Sequence, residues 1–471
     1  MSDTSGREKS LSPQSRQSHQ SHRSPPSAAG PAAPRHPVDA VPPLGRLVPL
    51  GVQHVLVMYA STIAVPLIVA AGLGLPARDV VALVAADLLL CGIGTLLQSA
   101  GVWRVGARLP LVIGAAYNGV VPMVLIGTEY GIPVMYGSIV LAGVFMVAFA
   151  PLFGRLLRFF PPVVVGTTIT LIGITLVPAG ARMIFGGKPG DAGFGAPSGI
   201  ALGGLTLLVV VLLYRFLPPL LGQLAILAGM VLVTAVALLT GQADFGGVGH
   251  GAVASAPEPF HFGYPSFDAV ACLSLVLIQF VLMVETSGQV LAVGEAVERP
   301  ASRRDVIAAL RADGVVSTLG GVFQSFMYIT FTQNIGVVTL TRVRSRWVTA
   351  AAGAILVLMS VFPVFGRVVA SVPKPVLGGA TLAMFATVAV VGLRILADVR
   401  RDTANLVIVA VSLAVGLVPM AVPGAYDQLP QSARMFLDSG VAVGTLAAVL
   451  LNLLFHHLPW PRWERPEEET I

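Results

Sequence analysis

From Leu47 onward the chain alternates long apolar stretches with short polar breaks. A helix needs about 20 largely apolar residues to cross ~30 Å of hydrocarbon. Fourteen stretches read as crossings, near 47–73, 80–99, 109–128, 134–154, 161–179, 199–217, 220–240, 267–294, 304–323, 328–341, 347–366, 376–396, 404–422 and 434–456. The third and tenth are poor helices. In the tenth, Tyr328–Thr332 (YITFT) is β-branched and aromatic, and Gln333–Thr341 (QNIGVVTLT) suits a short helix. Fourteen helical residues cover only ~21 Å, whereas five extended residues followed by nine helical ones cover roughly 30 Å. The third repeats the pattern, with Leu109–Ile113 extended, then Gly114, then AAYNGVVP. Extended backbone at membrane depth is tolerated only where protein buries it or where it lines a cavity. Each short helix would then aim unpaired N–H groups at that cavity.

Composition agrees with a chain that lives in lipid. Of 471 residues 55% are hydrophobic and only 11% charged, with a mean hydropathy of +0.83. Soluble domains carry about 25% charged residues, so a soluble enzyme or nucleic-acid binder is excluded. The net charge of +6 is scattered over short loops and forms no nucleic-acid face. Cys91 and Cys272 lie in apolar runs and make neither a disulfide framework nor a metal or redox motif. Residues 1–45 are rich in Ser, Pro, Gln and His, cannot bury enough apolar surface to order themselves, and read as a disordered cytoplasmic tail. With the N-terminus inside, fourteen Arg residues fall in cytoplasmic loops, against Arg78, Arg182, Lys188, Arg367, Lys374 and Arg434 outside. This asymmetry places both termini in the cytoplasm. The longest break, 241–266, carries Asp244 and Glu258 but no Lys or Arg.

The sequence also echoes itself. PLFGRLLRFFPPVVVG from Pro151 recurs as PVFGRVVASVPKPVLG from Pro363, without a gap, and QHVLVMYAS from Gln53 weakly resembles QFVLMVETS from Gln279. These offsets pair stretch four with eleven and one with eight. A unit of seven crossings is odd, so its copy runs the other way through the membrane. Inverted repeats of this kind mark secondary transporters, with substrate near the midplane at the repeat interface.

Three acids lie where lipid should exclude them. A carboxylate at the bilayer centre costs about 2.5–3.5 kcal/mol on insertion scales. Nine residues separate Glu285 from Glu295, which puts it roughly 13 Å of helix below the inner surface. It reads as a substrate ligand and proton-linked group. Asp313, at similar depth, reads as a proton relay or a latch for a moving bundle. Asp87 reads as a helix-packing acid. His54 is either a satisfied core histidine or a coupling group. Gln333 and Asn334 sit at the strand-to-helix break, where buried amides require partners.

These residues together resemble a known family. TQNIGVVTLTR (Thr332–Arg342) is similar to the Q/E-N-x-G-x-x-x-x-T signature of the nucleobase–ascorbate transporter family, also called nucleobase:cation symporter-2. VQH (Val52–His54), GIGTLLQ (Gly92–Gln98) and VETSGQVLAVGE (Val284–Glu295) resemble its other motifs. The resemblance runs from Leu47 to His457. It implies an all-α polytopic membrane protein of two inverted seven-span repeats, with a core domain (46–158 and 267–370) and a gate domain (159–240 and 371–457). The extracytoplasmic loop 241–266 and a cytoplasmic tail, 458–471, complete the chain. It further implies an elevator motion and a homodimer packed through gate domains in a bacterial-type plasma membrane. Glu285 would bind the base, Gln333 would read its polar edge, and backbone near Ala116 and Tyr117 would complete the pocket, with the Tyr117 ring stacking on the base. The Asp313 position is functionally sensitive in purine members.

Gln333, rather than the Glu of uracil members, points to xanthine or urate. Three departures bear on substrate and coupling: Ala115–Ala116–Tyr117 replaces a hydroxyl-plus-Phe pattern, Gln289 stands where purine members often have Asp, and Arg342 differs from some xanthine carriers. No cofactor or metal is expected. The coupling ion is a proton carried by Glu285, Asp313 and His54, with sodium coupling or a uracil-type substrate as the nearer alternatives. An anion exchanger or channel on the same architecture calls for a basic pocket residue that stretches three, eight and ten lack at midplane. A membrane enzyme ranks last, since HExxH, GxSxG and CxxC motifs are absent from the sequence.

Overall fold

The computed structural model of the protein describes residues 36–156, 160–187, 189–191, 193–222, 224–331 and 333–458. Most of the expected N-terminal tail, 1–35, and the end of the C-terminal one, 459–471, lie outside the described residues. The last part of the N-terminal segment is ordered. Pro37–Asp39 make a 3-10 turn, Val38 is fully buried, and the Asp39 carboxylate meets the Arg346 Nε at 2.7 Å.

The first four apolar stretches become α1 (Leu44–Thr62), α2 (Ala64–Leu73), α3 (Ala77–Ala100), strand β1 (Ile113–Ala115), α4 (Val120–Glu129) and α5 (Ile132–Leu156). The next three become α6 (Pro162–Thr175), α7 (Val177–Phe185), α8 (Pro197–Phe216), α9 (Pro219–Gly222) and α10 (Ala225–Leu239). Stretches eight to eleven become α11 (Ala269–Ala296), α12 (Arg303–Val322), β2 (Tyr328–Thr330), α13 (Gln333–Thr341), α14 (Arg346–Ser360) and α15 (Val364–Ala370). The last three become α16 (Lys374–Ala397), α17 (Thr403–Ala421), α18 (Gln431–Leu437) and α19 (Gly440–His456).

Eight of these helical segments are long and apolar enough to span a membrane, or nine if α14 and α15, bent by 83°, count together. The expected fourteen exceed that number for physical reasons. The α12 helix carries Arg303, Arg304, Asp305, Arg311 and Asp313. The third and tenth stretches contribute helices of only 10 and 9 residues, and α10 and α19 have 15 and 17.

Strands β1 and β2 pair antiparallel, with Ile113 opposite Thr330, Gly114 opposite Ile329 and Ala115 opposite Tyr328. The sequence pattern predicts extended chain over Leu109–Ile113 with Gly114 as the break. The structure centres the strand on Gly114 instead. A Cβ there would sit 2.5 Å from the Phe331 ring, so only glycine lets that ring close over the strand.

Two helix pairs build the scaffold around these strands: α3 packs on α14, and α5 packs on α12. Both crossings bring glycines face to face. A Cβ at Gly92 would meet the Gly353 carbonyl at 2.7 Å, and one at Gly143 would meet the Thr318 backbone nitrogen at 2.4 Å. Small residues let backbones approach where lipid supplies no hydrophobic drive between helices. Gly143→Leu is therefore expected to force α5 off α12 and cost about 1–3 kcal/mol. A lowered melting temperature of the detergent-purified protein measures it.

The 241–266 loop is tied down along its length. Ser255 N–H donates to the Val361 carbonyl at 2.8 Å, Phe260 N–H to Val322 at 3.1 Å and Ser266 N–H to Pro133 at 3.0 Å. The Arg367 Nε also donates to the Val248 carbonyl at 2.9 Å.

Candidate functional site

The α11 helix brings its acid to the middle of the fold. Asp268 caps its start, accepting from the backbone N–H of Val270 at 2.9 Å and of Ala271 at 3.0 Å. Seventeen residues further on, roughly 25 Å along the axis, stands Glu285, 8% exposed. Each of its oxygens accepts one carboxamide hydrogen bond. Asn118 Nδ2 donates to Oε2 at 3.0 Å, and Gln289 Nε2, one turn along the same helix, donates to Oε1 at 3.0 Å. Asn118 lies in the 3-10 turn Tyr117–Gly119 between β1 and α4. The broken third stretch thus supplies a partner to the acid of the eighth.

Thr286, the neighbour of Glu285, donates from its hydroxyl to Asp313 Oδ2 at 2.6 Å. Asp313 is fully buried and gathers donors from three elements. Gln98 of α3 gives Nε2 to Oδ1 at 2.9 Å, the Thr330 backbone N–H of β2 reaches Oδ2 at 2.9 Å, and the Thr330 hydroxyl lies 3.2 Å from Oδ1. The Gln98 amide is fixed in turn, donating to the Ala309 carbonyl and accepting from the Ala107 N–H, each at 3.1 Å. Asp313 accordingly joins α3, α11, α12 and β2.

A cavity of about 20 Å³ lies against Glu285, lined also by Tyr117, Asn118, Thr330 and Phe331 and closed by Ile172 of α6 and Val388 of α16. That volume suits a single water and falls far below the ~300 Å³ of a typical ligand pocket. Tyr117 accounts for much of the closure. Its hydroxyl donates to the Met384 sulfur at 3.2 Å, and its ring meets the Phe385 ring edge-on at 5.1 Å. A larger cavity, about 280 Å³, lies under the 241–266 loop beside Arg78, His261 and Arg367, and Glu285 is not among its lining residues.

The expected site residues divide. Glu285, Tyr117 and the strand preceding Gln333 come together. Gln333 opens α13, but the side chains of Gln333 and Asn334 lie outside the described residues. The Ala116 N–H donates to the Met327 carbonyl at 2.8 Å, so it ties the two strand ends together and does not face the cavity. His54 is buried on α1 and is not among the cavity-lining residues.

Comparison with known proteins decides the family. Residues 45–425 match the Xan_ur_permease model, described as a permease family. The chain belongs to the nucleobase–ascorbate transporter family. This transporter is 39% identical to the nucleobase transporter PlUacP of Paenibacillus larvae over 87% of its own length and 94% of that relative. It is 39% identical to a xanthine permease of Bacillus subtilis (88% and 94% covered) and 38% identical to the uric acid transporter UacT of Escherichia coli (89% and 88% covered). Its fold resembles the transmembrane domain of the cyanobacterial bicarbonate transporter BicA, at 14% identity and a TM-score of 0.56, covering 87% of this chain and 97% of that one. A murine Solute Carrier 26 anion transporter in the inward-facing state gives a TM-score of 0.58 at 14% identity, covering 87% and 68%. A member of a permease family with this many apolar helices is a multi-pass membrane transporter, not an enzyme.

Three polar residues that bond to Glu285 or Asp313, namely Gln98, Gln289 and Asn118, are not among the sequence-predicted site residues. In the sequence Gln98 lies inside the GIGTLLQ motif, Gln289 marks a departure from the family pattern, and Asn118 lies within AAYNGVVP after the break at Gly114. The cost of burying an unpaired amide, which drew attention to Gln333 and Asn334, applies equally to Asn118. A second signal lay in the weak echo from Gln53 to Gln279. The same offset of 226 lays α3 on α12 without a gap, and nine of 24 positions are identical between 77–100 and 303–326. Among them Asp79 falls on Asp305, Asp87 on Asp313, Gln98 on Gln324 and Ser99 on Ser325.

Proposed function

We propose that the protein takes up a nucleobase, a purine such as xanthine or urate, together with a proton across the bacterial plasma membrane. The observation that carries this reading is Glu285, a buried acid held by two carboxamides at a cavity between strand β2, the Tyr117–Gly119 turn and helices α6 and α16. The names of the relatives at 38–39% identity, a xanthine permease and a uric acid transporter among them, support the substrate class. An oxidised purine presents both C=O and N–H groups. Carboxamides, which donate and accept, suit that edge, and a protonated Glu285 would add a donor. In this reading Glu285, Asp313 and His54 carry the coupling proton, while Gln333 and Asn334 meet the base at the start of α13.

The motion is an elevator. Core elements (46–158 and 267–370) carry Glu285, Asn118 and both strands, and gate elements (159–240 and 371–457) press Ile172, Met384, Phe385 and Val388 against them. A base would enter as Tyr117 leaves Met384, the core would slide past α6 and α16, and base and proton would leave inside. Fourteen crossings in two inverted sets, both termini cytoplasmic and a homodimer joined through gate domains complete the proposal. Packing of α3 on α14 alongside α5 on α12, and α8 with α10 alongside α17 with α19, supports the two-fold organisation. Anion exchange, suggested by the shared fold alone, has no cation among the cavity-lining residues to support it.

The test is uptake of radiolabelled xanthine, urate, uracil and adenine into reconstituted vesicles under an imposed pH or sodium gradient. Accumulation of a purine driven by inward acid alone is the expected result. Sodium-driven accumulation or a strict uracil preference would replace this reading with one of its alternatives.

A further inference from the structure

Strand β2 passes the cavity with Ile329 and Thr330, followed by Phe331, and it is held from the α12 side by hydrogen bonds already described at Asp313. Ser317, one helical turn beyond Asp313, adds to that hold. The Tyr328 N–H donates to the Ser317 Oγ at 2.9 Å. The opposite side is held by the counterpart acid. Asp87 of α3, 1% exposed, accepts the phenolic O–H of Tyr328 on Oδ1 at 2.8 Å, and the phenol oxygen also lies 2.7 Å from the Ser325 Oγ. Among the described residues, the only other hydrogen-bonding group on that carboxyl oxygen is the Cys91 thiol at 3.6 Å, and Oδ2 has no hydrogen-bond partner. The grip of Asp87 on its surroundings is therefore its bond to Tyr328.

We infer that Asp87 is a positioning residue for the nucleobase site, which it reaches through Tyr328. Two acids that coincide in the α3–α12 echo close on one strand from opposite helices, Asp313 on the Thr330 backbone and Asp87 on the Tyr328 side chain. Tyr328 pairs with Ala115, and Met327 accepts from the Ala116 N–H, one residue before Tyr117. Loss of the phenol anchor thus shifts both cavity edges together, the Thr330–Phe331 edge directly and the Tyr117–Asn118 edge through the strand pair. The helix-packing role suggested by sequence gives no reason for the acid to meet the one strand that lines the cavity.

The inference rests on the proposed purine uptake, and its test separates the two. Initial rates of xanthine and urate uptake are measured in vesicles holding equal amounts of wild type, Tyr328→Phe, Asp87→Ala, the double variant and Asp87→Asn, with melting temperatures recorded for each. Tyr328→Phe keeps the ring volume and removes only the hydroxyl, so it remains informative if Asp87→Ala folds poorly. Tyr328→Phe and Asp87→Ala are each expected to raise KM about fivefold, the value of one hydrogen bond, with the maximal rate per transporter held within about twofold. The double variant is expected to match the worse single, since both remove one bond, and Asp87→Asn, which keeps an acceptor oxygen, is expected to restore KM. Unchanged KM in Tyr328→Phe, additive effects, or Asp87→Asn as impaired as Asp87→Ala would overturn the assignment. Wild-type vesicles that accumulate no purine would instead overturn the functional reading on which it rests.

Discussion

Glu285→Gln is expected to reduce purine uptake about 100-fold in kcat/KM, the equivalent of ~2.7 kcal/mol and within the range for a charge-assisted hydrogen bond. The amide has nearly the shape of the acid, so packing around α11 survives. Its chemistry does not. Asn118 and Gln289 both present N–H donors to the carboxylate. A glutamine turns its own NH2 toward one of them and sets donor against donor. It also cannot carry a proton, so stimulation by an inward acid gradient is expected to vanish along with affinity. The variant should express and fold, with a melting temperature lowered by that one donor clash. Uptake and pH-gradient stimulation measured together on that folded protein check the prediction, and near-wild-type transport would remove Glu285 from the site.

Much of this architecture was legible before any coordinates. The fourteen apolar stretches all fall on helices or on strand-plus-helix segments, and α13 begins at Gln333 as YITFTQN suggested. Glu285 and Asp313 stood out because charge in a long apolar run is expensive whatever surrounds it. The details that failed share a cause. Hydropathy reports how much a segment dislikes water and says nothing about which neighbour it meets. It could not show that Gly114 belongs inside a strand, because the reason is a Phe331 ring contributed by the other half of the chain. It could not pair Gln98 with Asp313, which are 215 residues apart. The α12 helix shows the converse, since its charges pull it below the apolarity of a spanning helix although it packs closely along α5. The offset of 226 was present in the sequence, but identity between α3 and α12 is spread over positions separated by interchangeable apolar residues. It becomes evident only once Asp87 and Asp313 both hydrogen-bond to strand β2.

Asp313 is where substitution should cost the fold most. Alanine there removes the acceptor of one Gln98 N–H, of the Thr286 hydroxyl and of the Thr330 backbone N–H, three buried donors that close on one carboxylate, while the Gln98 amide keeps its bonds to Ala309 and Ala107. Each unsatisfied buried donor costs about 1–3 kcal/mol, so the sum is of the order of the entire 5–15 kcal/mol that keeps a typical protein folded. Asp313→Ala is expected to fail to accumulate in the membrane. Asp313→Asn is the informative variant. Oδ2 receives the Thr330 backbone N–H at 2.9 Å, which cannot be reversed, together with the Thr286 hydroxyl at 2.6 Å and the Thr330 hydroxyl at 3.3 Å, so the asparagine oxygen is expected to take that position. Its NH2 then replaces Oδ1 and faces the Thr330 hydroxyl, which can turn to accept, and the Gln98 NH2, which cannot. Flipping Gln98 would break its bonds to Ala309 and Ala107. One donor clash remains, about 1–3 kcal/mol, so Asp313→Asn should fold with a lowered melting temperature. Replacing Gln98 by glutamate alongside it restores an acceptor opposite the asparagine NH2 but loses a donor to the Ala309 carbonyl, so it should recover part of the melting temperature. If that partial recovery comes without any recovery of proton-driven uptake, Asp313 itself moves the proton. If uptake returns in step with stability, Asp313 is a latch.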